Sequence, residues 1–267
     1  MQPQLRPLGE QIRQWRQLRR RSQMDLALDA AISARHLSFI ETGRSRPSRD
    51  MVLLIANELE VPLRERNAML LAAGFAPVYG ERSLDDRELA SARQAIDIVL
   101  LSHEPYPALA IDRHWNLVAA NRAVGPLIAA AAPALLAPPV NVLRLSLHPD
   151  GIAPHILNLA EWRGHLLERL KRQVAASADE VLAELLDELQ GYPAPDGAGS
   201  ATELGSVLVP MRLSSPIGEL SFLSTTTIFG TPMDITLSEL AIESFFPADE
   251  ATAERLRSMD DDAGRAH

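Results

Sequence analysis

The chemistry most legible in this chain is recognition. Ala34, Arg35, His36 and Ser38 follow Ser33 in a short stretch whose apolar members, Leu37 and Ile40, are spaced for burial on one helix face. Small and polar side chains are left on the opposite face. An arginine there can read guanine through O6 and N7, and a histidine can donate to a base or a phosphate. Such a helix needs a first helix joined to it by a tight turn, the pairing that seats a recognition helix in the major groove of DNA.

The elements that would position those residues follow from caps and periodicity. Leu8, Ile12 and Trp15 make a helical stripe. Ser22 and Asp25 have capping-box spacing and open a second helix with Leu26, Ala27 and Ala30 inward. Residues 29–33 are the turn, Ser33–Glu41 the reading helix, and Gly43 its left-handed stop. Arg44 to Ser48 reads as a loop, and residues 50–58 and 63–73 as two more helices. Arg16, Arg19, Arg20 and Arg21 fit either a solvated helix face or phosphate contacts.

The first unit therefore spans 1–76, with a linker and connecting helix over 77–104. Beyond Pro107 the pattern changes. Residues 108–111 and 117–120 are strand candidates around the turn 112–116. Asn121 is placed to cap a helix over 121–130. Helices are expected over 156–174 and 179–189, and strands over 206–213 and 218–229. A third strand is expected over 233–236, then a helix from Thr236 to Phe245. The mixed unit covers 105–258, and 259–267 reads as a disordered tail. The fold class is α+β: an all-α head, then mixed α and β elements.

Charge separates the two parts. Residues 1–80 hold 12 Arg against 8 acidic residues, whereas residues 81–267 hold 14 basic against 27 acidic ones, giving the overall −9. A basic head on an acidic body is the asymmetry of a chain that meets phosphate at one end. There are no cysteines, so disulfides and thiolate chemistry are excluded. No apolar run reaches the length of a membrane span, and the start of the chain lacks a signal-peptide pattern, so a cytoplasmic protein without membrane attachment is expected.

Enzymatic chemistry finds little footing. Ser215 and Ser224 sit in no G-x-S-x-G elbow, and no Gly-rich loop carries a phosphate-binding Lys. His148, His155, Glu161 and His165 match no metal-site spacing. No enzyme activity, cofactor or metal is expected.

Two resemblances sharpen this reading. Ser22-Gln23-Met24-Asp25-Leu26-Ala27, Ser33, Leu37 through Gly43, and Arg46-Pro47-Ser48 resemble the helix-turn-helix of Xre/Cro/C1-type regulators, over residues 8–72. The resemblance implies a five-helix DNA-binding domain. In it Gln23 would contact phosphate, Ala34, Arg35, His36 and Ser38 would lie at the bases, Arg44 and Arg46 at the backbone, and Ser33, at the start of the reading helix, would belong to the same DNA-binding set. The sequence departs from the family at Ala31, where a turn glycine is frequent, and Ala31 would then carry backbone strain of about 1 kcal/mol.

The remainder, roughly 95–255, resembles the MmyB-like ligand-binding domain. The resemblance rests on Tyr106 through Asn116, Asn121, Asn141 through Pro149, Asn158 through Trp162, Gly218 through Phe222 and Phe229 through Asp234. It implies a PAS-like α+β fold around an apolar cavity, and a fatty acid or similar small apolar molecule as ligand. Within those motifs Trp115, Leu117, Trp162, Phe222 and Phe229 are candidates to line the cavity, with core packing as the alternative for each. Arg113, His114 or Arg144 would hold a carboxylate head group, with surface ion pairing as the alternative. The expectation is a regulator that binds double-stranded operator DNA as a homodimer and responds to a small apolar ligand. The alternative is a second domain that only dimerises or recruits a protein partner.

Overall fold

A computed structural model describes residues 6–84, 86–193, 209–229 and 234–265. The chain divides into two compact units, Met1–Arg82 with Thr231–Ser238, and Ser83–Gly230 with Glu239–His267. The fold is α+β.

The first unit holds α1 (Leu8–Leu18), α2 (Gln23–Asp29), α3 (Ala34–Glu41), α4 (Arg49–Glu58) and α5 (Leu63–Ala72). Ser22, Ser33 and Ser48 start α2, α3 and α4, each hydroxyl accepting the amide of the third helical residue. Ser22 and Asp25 complete the capping box expected of them.

All five helices end in the same double hydrogen bond. After α2, Ile32 N–H donates to the Ala27 carbonyl and Ala31 N–H to that of Leu28. This is the Schellman closure, and it requires a left-handed residue at its centre. Gly43 and Gly74 supply it after α3 and α5, but Arg20, Ala31 and Glu60 take positive φ after α1, α2 and α4. The strain expected at Ala31 is present, with φ at +52°. Ile32, Val61 and Phe75, the residues just beyond three of these stops, turn into the core with Ile12, Leu26, Leu37 and Ile55. A short helix α11 (Ile235–Ser238) joins this unit: Ile235 N–H bonds the Gly80 carbonyl and Arg82 pairs with Asp234 at 3.0 Å.

The second unit is a five-stranded antiparallel sheet with helices. Its strands are β1 (Ala108–Ile111), β2 (Leu117–Ala120), β3 (Met211–Ser215), β4 (Gly218–Ile228) and β5 (Ala241–Pro247), in the order β2-β1-β5-β4-β3. Helices α6 (Ala90–Ser102), α7 (Val124–Ile128), α8 (Val142–Leu147), α9 (Leu159–Ser177), α10 (Glu180–Gln190) and α12 (Glu250–Arg265) complete it. Its core gathers Trp162, Leu166 and Leu170 of α9, Leu182 and Leu185 of α10, and Leu213, Leu220 and Phe222 of the sheet.

Four expectations are corrected. Asn121 caps no helix. Its side chain accepts from Ala108 N–H and donates to the Leu100 and Tyr106 carbonyls, so it fastens α6 to β1, and α7 begins only at Val124. The helix expected over 236–245 is the four-residue α11 followed by β5. Leu109 and Thr226 face Glu243 from the two neighbouring strands, and tertiary pairing overrides the capping signal. Of the strand expected over 233–236, Asp234 forms one bridge to Gly80 and the next residues are helical. Of the expected disordered tail, residues 259–265 form the end of α12, and 266–267 lie outside the described residues. Residues 206–208 and 230–233, parts of two expected strands and of a quoted motif, lie outside the described residues.

Candidate nucleic-acid interface and ligand cavity

The recognition face is built by burying the other side of α3. Leu37 and Ile40 are in the core, while Ala34 and Arg35 are exposed and His36 and Ser38 half-buried. The Arg35 guanidinium lies 5.3 Å from the Phe39 ring centroid, one turn along the same helix, which restrains an otherwise long and mobile reader. Ser33 is exposed and its hydroxyl caps α3 by accepting from His36 N–H at 3.1 Å. Arg44 and Arg46 are exposed in the loop that follows.

Behind this face lies a network that sequence reasoning missed. Glu41 has a side chain only 3% exposed. It receives Nε of Arg16 at 2.7 Å, a second guanidinium nitrogen at 3.0 Å, and the Gln23 amide at 2.7 Å. The carboxylate raises the Arg16 pKa above its ordinary value through that hydrogen bond. One carboxylate thus joins the last turn of α1 and the first residue of α2 to the end of α3. Packing is equally close at Gly9, where an added Cβ would stand 2.3 Å from the Glu41 carbonyl oxygen. Gln23, the expected phosphate contact, is engaged in this network.

The basic run resolves into neither of its two expected roles at three positions. Arg16 holds Glu41. Arg19 donates to the Leu59 and Glu60 carbonyls and lies over Trp15. Arg21 donates to the Glu58 carbonyl and pairs with Asp29. Cations thereby satisfy the open carbonyls at the end of α4. Arg20 is exposed.

The second unit encloses an apolar cavity of about 100 Å³. Leu109, Leu117, Met211 and Leu213 form its sheet side, Val124, Leu127 and Ile128 line it from α7, and Leu143 and Leu145 from α8. Trp162 and Leu166 of α9 are also in the wall, with Trp115 from the β1–β2 turn. Trp115 gets there through a left-handed backbone, with φ at +67°. Asp112 fixes that turn by accepting from His114 N–H and Asn116 N–H at 2.8 and 2.9 Å. Asn141 ties it to α8, donating to the His114 carbonyl while capping Leu143 and Arg144. A strained, over-determined backbone holding an aromatic in a cavity wall is a frequent mark of a functional position.

A helix-turn-helix domain matches residues 7–69. Residues 92–259 match the family described as MmyB-like transcription regulator ligand binding domain. The chain belongs to this family. No curated protein matches it.

Among the ligand residues expected of this regulator, Trp115, Leu117 and Trp162 line the cavity. Phe222 is fully buried beside it, packed edge-on to Phe245 at 6.2 Å, and Phe229 lies past the end of β4; neither is in the wall. The three head-group candidates are placed elsewhere. Arg113 lies 3.6 Å from both Asp179 and Glu239, His114 bonds Asp179 at 3.1 Å, and Arg144 makes a two-pronged pair with Glu188. They staple turns and helices.

The charged groups in the wall are Arg169 and Glu243. The guanidinium donates to both Glu243 oxygens, at 2.6 and 3.1 Å, and to the Thr226 hydroxyl at 2.9 Å. It also stacks over Trp115 at 4.5 Å. Helical spacing offered a signal for Arg169, since Trp162, Leu166, Arg169 and Gln173 share one stripe. Glu243 was hidden by reading its strand as a helix. Nearby, His165 stacks on Trp162, and burial, with Arg169 and Arg172, holds its pKa below the usual imidazole value. The described residues contain no cluster of three or more metal-ligating side chains and no helix long and apolar enough to cross a membrane.

Proposed function

We propose that this chain is a sequence-specific DNA-binding transcription regulator controlled by a small apolar ligand. The observation that carries the first half is the exposed α3 face, Arg35 outward and Leu37 and Ile40 buried, on a domain matching a helix-turn-helix. In this reading Ala34, Arg35, His36 and Ser38 meet base edges. Arg44 and Arg46 meet phosphates, and Ser33 and Gln23 lie close to the backbone. Gln23 then either stays on Glu41 or shares its amide with a phosphate oxygen.

The ligand enters the apolar cavity between sheet and helices, against Trp115, Leu117 and Trp162. This supports a PAS-like sensor and an aliphatic ligand, a fatty acid chain among the possibilities. The cavity is smaller than the roughly 150 Å³ apolar void that takes up benzene, so a long chain requires the elements around it to move. One head makes few base contacts, which favours a homodimer on an inverted repeat with half-sites about 34 Å apart. The exposed apolar side chains of Ile98 and Leu101 on α6 offer a face for such pairing. A regulator of this kind works in the cytoplasm and needs no catalysis.

Selection of bound DNA from a random pool, with and without added lipid extract, tests the whole reading. The expected result is an enriched inverted repeat whose yield changes with lipid. A pool with no enriched sequence would remove DNA reading. An enriched repeat indifferent to every extract would favour a second domain that only dimerises.

A further inference from the structure

The cavity's polar groups restrict what its occupant can be. Arg169 is the cation among the described wall residues, and its charge is already balanced by Glu243, whose side chain is 6% exposed. Thr226 adds a hydroxyl bond to the same carboxylate at 2.9 Å, and the Trp115 ring covers the guanidinium face. The Trp115 indole N–H is committed to Gln173 and that of Trp162 to Ser146. Ser224 also lines the cavity, and its side chain makes no hydrogen bond among the described residues. The site therefore combines a closed ion pair with an open neutral hydroxyl.

We infer that the cavity takes an aliphatic ligand with a neutral, hydrogen-bonding head, such as an alcohol, an ester or a protonated acid, and discriminates against carboxylates. This rests on the reading of the cavity as the ligand site. A carboxylate entering beside Arg169 would also stand beside Glu243, and an anion moved from water into apolar surroundings needs a full counter-charge. A cationic amine meets the mirror-image difficulty at Arg169. A hydroxyl leaves the pair intact and can bond Ser224.

The test titrates the full-length protein at pH 7.5 with 1-octanol, octanoate and octylammonium, three heads on one chain. Tryptophan fluorescence and the shift in melting temperature report binding. Octanol is expected to bind at least roughly tenfold more tightly than either ion, given the cost of an unbalanced charge in a site of reduced polarity. Glu243→Gln, which keeps the shape and removes the charge, is expected to raise octanoate affinity about tenfold and lower octylammonium affinity. Leu166→Trp, which fills the void, is expected to abolish octanol binding. Octanoate binding to the unaltered protein as tightly as octanol overturns the inference while leaving the cavity as a ligand site. Failure of all three compounds to bind overturns the cavity reading itself, and the inference with it.

Discussion

The DNA-reading head and the ligand-binding unit each hold a nearly buried carboxylate bound by an arginine fork, and the two do opposite things. Glu41 lies behind the working face, where it locks α1, α2 and α3 so that Arg35 and its neighbours can project. Glu243 lies in the working surface, where it cancels the charge of Arg169 inside the cavity. In the head, ion pairing is scaffolding for a polar surface that remains open. In the ligand-binding unit, by our proposal, it helps set what the apolar space accepts. The same pair of side chains is thus structural or selective according to whether the space beside it is filled.

The largest effect expected from breaking this comparison is at Glu41. Glu41→Ala strands Arg16 and Gln23 and should cost the head about 3–5 kcal/mol. Hydrogen-exchange mass spectrometry should show faster exchange in α1 to α3 with little change in the sheet. Equal loosening of both units would mean that Glu41 is not a local scaffold.

Arg169→Met should be nearly as costly, about 3 kcal/mol, because Glu243 is left without its partner. Adding Glu243→Leu should recover most of that loss, since a buried pair replaced by apolar groups is often neutral. A double variant as unstable as the single one in thermal unfolding would show that the pair also holds the fold, against its assignment to selectivity.

Acid should weaken the ligand-binding unit in two stages. Burial, with Arg169 and Arg172, lowers the His165 pKa, so protonation favours the unfolded chain and stability begins to fall as pH drops below about 6.5. Glu188 is held below the carboxylate range by its Arg144 hydrogen bond. Burial pushes Asp179 up, but His114 and Arg113 together bring it below its ordinary value. Both contributions are complete above about pH 5 and are lost progressively as pH falls further. Melting temperature against pH should show the upper stage vanish in His165→Gln and the lower one persist.

The smallest effect should be a gain. Ala31→Gly relieves the positive φ between α2 and α3, and after the added chain entropy of glycine it should stabilise the head by roughly 0.5 kcal/mol. Chemical denaturation would detect it; a loss of stability would show the methyl group to be packed usefully.

These contrasts also explain what the sequence made legible. The head is governed by local rules: Ser caps at 22, 33 and 48, a glycine stop at 43, and apolar spacing that turns Leu37 and Ile40 inward. Which side of α3 faces inward and which stays outward could therefore be read from the sequence. The Arg16–Glu41 bond spans 25 positions, and no local rule connects the two residues. In the second unit the aromatic wall residues Trp115 and Trp162 stood out by type. Arg113, His114 and Arg144 were attractive for their charge, yet each meets a nearby carboxylate. The pair that does enter the cavity joins residues 74 apart, from a helix stripe and a strand whose period was misread. Cavities are assembled by long-range pairing, and periodicity alone does not reveal which polar groups they admit.

The most direct measurement of the central claim is the affinity of the unaltered protein and of Arg35→Ala for the selected operator and for each of its single-base variants, at two salt concentrations. The account predicts that Arg35→Ala loses about 1–3 kcal/mol of discrimination at one base position while the dependence on salt is little changed. Base preferences identical in the two proteins at every position would contradict it, because α3 would then not be the element that reads DNA.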